Sequence, residues 1–215
     1  MTVALRAPWR AWSCRRCYQA LCERAHLDQV VTVGRISSTN DYLKNLVGAS
    51  RALPGNTLLV IAREQAAGRG QFERSWSSPP GGLYASLLYW PERPIAEQSE
   101  LSLLCAEVLC EVLHNQGATG LFVKAPNDVY APGGKLAGIL LEASGQEGWL
   151  VIGIGVNVRR VRRPSSRRRG FTGAAYLADD PACARMAPQD VAGALFPVLL
   201  DRIGAWDAQP AGKNA

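Results

Sequence analysis

Apolar and polar positions alternate or cluster in a way that sets out most of the elements. Val30–Arg35 alternates enough to form a strand, and Ser37-Ser38-Thr39-Asn40-Asp41 supplies helix-capping chemistry ahead of Tyr42–Val47. Thr57–Ala62 is a short apolar strand, and Leu83–Trp90 is a second. From Ser99 to Gln116, Leu101, Leu104, Cys105, Val108, Val112 and Leu113 mark one face of a helix that Gly117 is placed to stop. Leu121–Lys124 reads as a strand entering the turn Ala125-Pro126-Asn127-Asp128. After the Gly133-Gly134 turn come the strands Leu136–Ala143 and Trp149–Val158, the latter almost wholly apolar. Pro188–Trp206 has a helical pattern, with Pro188 in the first turn and Pro197 expected to kink it. Helices and strands mix without strict βαβ alternation. The pattern therefore predicts an α+β fold, a mixed β-sheet flanked by helices.

Between the strands Thr57–Ala62 and Leu83–Trp90 the pattern lapses. Gly68–Tyr84, GRGQFERSWSSPPGGLY, has no apolar period through Ser78. Its Gly68-x-Gly70 start allows backbone N–H groups close to an anion, and Arg69 and Arg74 add planar, permanently charged forks. Read alone, the stretch is equally a solvated basic loop.

Composition excludes more than it identifies. The chain has 215 residues, 47% apolar and 20% charged, ordinary for a globular domain. No run of residues approaches the length of an apolar membrane span. The net charge of +6 comes from two places: seven arginines in residues 159–169 and a net +3 in residues 1–28, which leaves −4 elsewhere. Basicity confined to a loop and a tail argues against a general nucleic-acid surface. The arginine run is expected to stay solvated and mobile through self-repulsion. Six cysteines without scaffold density fit a reducing cytoplasm. Cys14, Cys17, Cys22 and His26 do not match a common zinc-site spacing, and residues 11–25 read better as an Arg-rich amphipathic helix.

Common nucleotide motifs fail. A P-loop around Gly134-Lys135 would need glycine at Val129 and a hydroxyl residue at Leu136. A dinucleotide fingerprint after Gly153-x-Gly155 would need glycine at Val158. Neither histidine, His26 nor His114, completes a metal or nucleophile signature. What remains is three separated segments of one character: Gly68–Trp76, Lys124–Asp128 and Gly134–Gly138. Each offers cations, amides or closely packing glycines, a set suited to joining two anions. A carboxylate attacking an α-phosphate meets about 4 kcal/mol of repulsion at ~4 Å and an effective dielectric near 20. Fixed cations and N–H groups must offset it.

Together the segments resemble the biotin protein ligase family. The resemblance rests on Ser38-Thr39-Asn40, Gln65-Ala66-Ala67-Gly68-Arg69-Gly70, Arg74-x-Trp76-x-Ser78-Pro79, Gly82-Leu83-Tyr84, Lys124-x-Pro126-Asn127-Asp128, Lys135-Leu136-Ala137-Gly138-Ile139-Leu140-x-Glu142 and Gly153-Ile154-Gly155-Val156-Asn157, in family order across roughly residues 30–205. It implies a biotin/lipoate ligase-like catalytic domain at 29–207, with an Arg/Cys-rich extension at 1–28 and a tail at 208–215. No DNA-binding unit is expected before it, and none of the small C-terminal β-barrel of many members after it. It also implies a two-step reaction in which biotin and MgATP give biotinyl-5′-adenylate, and a lysine of a biotin carboxyl carrier protein takes the biotinyl group.

Carried over residue by residue, Ser38, Thr39, Asn40, Gln65, Gly68, Arg69, Gly70, Gln71, Lys135, Gly138 and Gly155 would surround biotin. Arg69, Arg74, Trp76, Lys124, Asn127, Asp128 and Asn157 would meet the nucleotide, with Asp128 also a possible magnesium ligand. Lys135, Arg69, Arg74 and Lys124 would carry the catalytic charge. Beyond ATP, Mg2+ and biotin no tightly bound cofactor is expected. The implied setting is cytoplasmic, without DNA or membrane, and a homodimer is compatible with it.

Three departures stand out: Gln71 where the family commonly has arginine, Glu73 in place of glycine, and Ala125 in place of tryptophan. Gln71 can still hydrogen-bond a phosphate but cannot neutralise it. A non-catalytic biotin- or adenylate-binding module and a lipoate-type ligase are the alternatives, although the Arg-Arg-x-Ser-Gly-Gly-Gly stretch expected of the latter is absent.

Overall fold

The computed structural model describes residues 15–72, 74–93, 98–160 and 173–209. Seven strands form one sheet: β1 (Gln29–Ile36), β2 (Leu58–Gln65), β3 (Leu83–Tyr89), β4 (Phe122–Lys124), β5 (Asp128–Ala131), β6 (Gly134–Ser144) and β7 (Trp149–Val156). Their spatial order is β1-β2-β3-β7-β6-β5-β4, with β1 and β2 parallel and every other neighbouring pair antiparallel. Four helices flank it: α1 (Arg15–Arg24), α2 (Thr39–Gly48), α3 (Gln98–Asn115) and α4 (Pro188–Asp207). The fold is α+β with a mixed sheet, as the pattern predicts.

The central strands β2, β3 and β7 are buried on both faces over most of their length, which is why they are nearly continuous apolar runs. Successive side chains still part company. Leu59 and Ile61 of β2 join a large core with α1, α3 and α4, whereas Leu58 and Val60 join Leu43 of α2 in a smaller one. The large core contains Leu101, Cys105, Val108, Val112 and Leu113 of the predicted α3 face. Burial there pushes the Cys105 thiol up to about 12, so this cysteine is packing, not chemistry. Leu21, Ala25 and Leu27 lie in the same core, so the chain from α1 onward packs with the sheet.

Turn chemistry fixes the ends. Ser38 caps α2, its Oγ accepting the Asp41 N–H at 3.4 Å. Gly117 ends α3 in a left-handed conformation at φ 98°, with the Ala118 N–H bonded to the Leu113 carbonyl at 3.0 Å. Pro188 opens α4, and the helix continues unbroken past Pro197 to Asp207. Two regions differ from the prediction. Asp128, placed in a turn, begins β5, and residues 177–183 form two short 3-10 helices that no pattern marks. Most of the arginine run, residues 161–169, lies outside the described residues, as do Cys14 and the other residues before Arg15.

Candidate active site

On the α2 side of the sheet β3, β7 and β6 form the floor of a cavity of about 780 Å³, a size suited to a small ligand. Strand register explains its shape. Ser86, Gly153 and Leu140 lie side by side across the three strands, and Tyr84, Gly155 and Gly138 form the next row. The two glycines of β7 leave room that any side chain would fill. A Cβ on Gly153 would run into the Asn40 amide, and one on Gly155 would lie 2.6 Å from Trp76 Nε1. The Trp76 indole is therefore seated on the sheet itself.

One end of the cavity is lined by hydroxyls and amides. Thr39 bonds Gln65 twice: its N–H at 2.8 Å and its Oγ1 at 3.1 Å reach Gln65 Oε1. Gln65 Nε2 in turn donates to Ser78 Oγ at 2.9 Å, and Ser78 Oγ donates to the Trp76 carbonyl at 3.1 Å. Beneath them Ser86 Oγ, fully buried, lies within hydrogen-bond reach of Thr39 Oγ1 and Asn40 Oδ1. Chains of this kind fix rotamers, because every buried polar group needs its partner. Tyr130, which lines the cavity, and Ser86, which supports the lining from beneath, are residues that the motif reading misses. For Ser86 a signal exists, a single serine in the otherwise apolar and aromatic strand Leu-Tyr-Ala-Ser-Leu-Leu-Tyr.

The other end is cationic. Lys135 Nζ stands 2.6 Å from Asp128 Oδ1 and 5.3 Å from the centre of the Trp76 ring. Lys124 Nζ lies 5.4 Å over the Tyr130 ring. Among the described residues no carboxylate is paired with Lys124 or Arg74, and both line the cavity. Among the described residues this end thus carries more positive than negative charge.

The Gly68–Trp76 stretch is a narrow antiparallel lid rather than an open loop. The Trp76 N–H bonds the Gly68 carbonyl at 2.8 Å and the Gly70 N–H bonds the Arg74 carbonyl at 2.7 Å. Phe72 at its tip is largely exposed and holds φ 54°, a left-handed conformation uncommon for a bulky residue. Arg69, at its base, meets acids of the protein: Asp41 Oδ1 at 2.6 Å and Glu142 Oε2 at 2.8 Å. Burial drives the Glu142 carboxyl up. Hydrogen bonds from Lys44 and Asn40, with the charges of Lys44 and Arg69, outweigh it and hold the group below its ordinary value.

Of the residues expected from sequence, Ser38, Thr39, Asn40, Gln65, Arg69, Gly70, Gln71, Arg74, Trp76, Lys124, Asn127, Asp128, Lys135, Gly138 and Gly155 all line this one cavity. Two do not. Gly68 lies behind the wall, where a Cβ would strike the Trp76 carbonyl and Ser78 Oγ. Asn157 is buried under β6, its Nδ2 donating to the Lys135 carbonyl at 3.2 Å and its N–H to the Leu136 carbonyl at 2.9 Å. Both are supports rather than walls. Asn127 is partly so, since its Nδ2 is spent on the Ile139 carbonyl at 2.9 Å. Among the described residues no group of three or more His, Cys, Asp or Glu side chains could hold a metal ion, and no helix is long and apolar enough to cross a membrane.

The model of the biotin/lipoate A/B protein ligase family matches residues 33–158, more than half of the sequence, and the chain belongs to this family. The bifunctional ligase/repressor BirA of Escherichia coli (strain K12) is 43% identical over 132 residues, 59% of this chain and 40% of that protein. The biotin–[acetyl-CoA-carboxylase] ligase of Paracoccus denitrificans is 39% identical over 132 residues, 59% of this chain and 53% of its own length. The chain thus spans about half or less of these relatives. The biotin protein ligase of Aquifex aeolicus, solved in complex with biotin and ATP, shares the fold with a TM-score of 0.71 at 24% identity, over 85% of this chain and 73% of that one.

Proposed function

We propose that this chain activates biotin with ATP to biotinyl-5′-adenylate and passes the biotinyl group to a lysine of a biotin carboxyl carrier protein. The observation that carries this reading is the division of one cavity into an amide-lined end and a cation-lined end. A ureido head needs paired donors and acceptors, which Ser38, Thr39, Asn40 and Gln65 supply. A lipoyl dithiolane offers neither an N–H nor a carbonyl to such an amide-lined end. The relatives named above support biotin as well.

At the other end, a biotin carboxylate and the α-phosphate must approach one another. Lys135, Lys124 and Arg74 line the cavity and are the cations that would offset that repulsion, and the lid would exclude water from the mixed anhydride. The Lys135–Asp128 pair holds the ammonium in place before either substrate arrives. Magnesium enters as part of MgATP. Asp128 offers it one carboxylate, and such ions commonly take one or two protein carboxylates, with phosphate and water completing the shell. The carrier's lysine, not one of this chain, is the final nucleophile.

The test is mass spectrometry after incubation with biotin and MgATP, with lipoate run in parallel. Biotinyl-adenylate is expected from the wild type and not from Lys135→Ala. Biotin bound without adenylate makes the chain a binding module, and lipoyl-adenylate instead of biotinyl-adenylate overturns the choice of acid.

A further inference from the structure

We infer that Glu142 is a positioning residue that locks the base of the lid to the amide end of the cavity, through a closed set of charges with Arg69, Asp41 and Lys44. The identity of the ligand rests on the reading above; the lock itself does not.

Glu142 stands on β6 and uses both carboxylate oxygens. Oε2 accepts Asn40 Nδ2 at 2.7 Å and Arg69 Nη2 at 2.8 Å, and Oε1 accepts Lys44 Nζ at 2.7 Å. Asp41 Oδ1 closes the set, 2.6 Å from Arg69 Nη2 and 3.1 Å from Lys44 Nζ. Two carboxylates meet two cations, so the group is neutral. It draws on α2, the lid and β6, which come together only in the fold. The side chains are 21–38% exposed, shielded enough for a network to exceed an isolated surface pair.

Two consequences follow. Arg69 has its charge committed to protein carboxylates, so in this closed arrangement it anchors the lid while Lys124 and Arg74 remain for a phosphate. Asn40 is fixed from both sides, its Nδ2 held by Glu142 and its Oδ1 by Ser86. One carboxylate therefore sets the orientation of an amide in the ligand pocket and the closure of the lid over it. Glu142 was part of a motif in the sequence but had no role there.

The experiment compares wild type, Glu142→Gln, Arg69→Gln and the double variant by two readouts. Without ligand, amide hydrogen exchange at Gly70 and Trp76, whose N–H groups hold the lid hairpin, is expected to speed up about tenfold in each single variant. Biotin affinity by calorimetry is expected to weaken about tenfold in each. In the double variant both effects stay near tenfold instead of compounding to about a hundredfold, since either change opens the same lock. Exchange unchanged in Glu142→Gln, or effects that multiply in the double variant, overturns the lock. If Glu142→Gln does not fold, Asp41→Asn, which removes the other carboxylate, must speed the same two amides; failure to do so also overturns it. Wild type that binds no biotin defeats the functional reading, yet leaves the exchange result to decide this one.

Discussion

Two regions of the cavity use the same residue types to opposite ends. At the lid base, Arg69 and Lys44 are matched by Asp41 and Glu142, and the charges cancel. At the far end Lys135 has Asp128, while Lys124 there and Arg74 on the lid, whose guanidinium lies 5.9 Å from the Phe72 ring, have no carboxylate partner among the described residues. Cancelled charge holds a structure together; uncancelled charge waits for an anion. A basic residue in a motif is therefore not by itself a phosphate ligand, and its neighbours in space decide.

The comparison breaks most visibly at the cationic end. Replacing Lys124 and Arg74 together by glutamine should lower the rate of adenylate formation about a hundredfold, the scale of losing preorganised charge stabilisation, while biotin affinity moves less than about twofold. Rapid-quench kinetics beside calorimetry separates the two. A loss of biotin affinity of the same size would merge the regions that the structure keeps apart. Next in size is the floor. Gly155→Ala puts a methyl group where Trp76 Nε1 lies, and overpacking of this kind costs about 1–3 kcal/mol. Biotin affinity should fall about tenfold or more; an unchanged dissociation constant would show that Trp76 is not seated as described.

The lid base responds to pH in a defined direction. The Glu142 carboxyl lies below its ordinary 4.5 when folded. Its stabilisation is thus fully present above that value and is lost as pH falls through the lower folded one. The difference in Tm between wild type and Glu142→Gln should be flat from about pH 8 to pH 5 and shrink below about pH 4. A gap that does not narrow as pH falls below 4.5 would contradict the assignment. The smallest effect is expected at the lid tip. Gln71→Arg restores a cation and should slow adenylate dissociation several-fold in a chase experiment; an unchanged rate would mean the tip does not reach the phosphate.

How much of this could be read from residues alone depends on distance along the chain. The strands and α3 were legible because their periods are local, and Ser38 as a cap needs only its next three residues. β5 was not, because Pro126, Asn127 and Asp128 carry turn chemistry and the strand that begins at Asp128 is only four residues long. The cavity wall was legible as a set of motifs, yet the tasks within it were not. Arg69 looks like an anion ligand until Asp41 and Glu142 are seen beside it, 28 and 73 residues away. Asn157 ends a glycine-rich strand like a ligand residue, and only the fold brings its Nδ2 to the Lys135 carbonyl. Pairings set by tertiary contact leave no local trace.

The most direct test of the division into two ends is biotin-dependent exchange of labelled pyrophosphate into ATP, which needs adenylate formation and no carrier. The account predicts exchange that requires biotin, falls at least a hundredfold in Lys135→Ala, and persists at saturating biotin in Glu142→Gln. Biotin binding with no exchange in the wild type would contradict it.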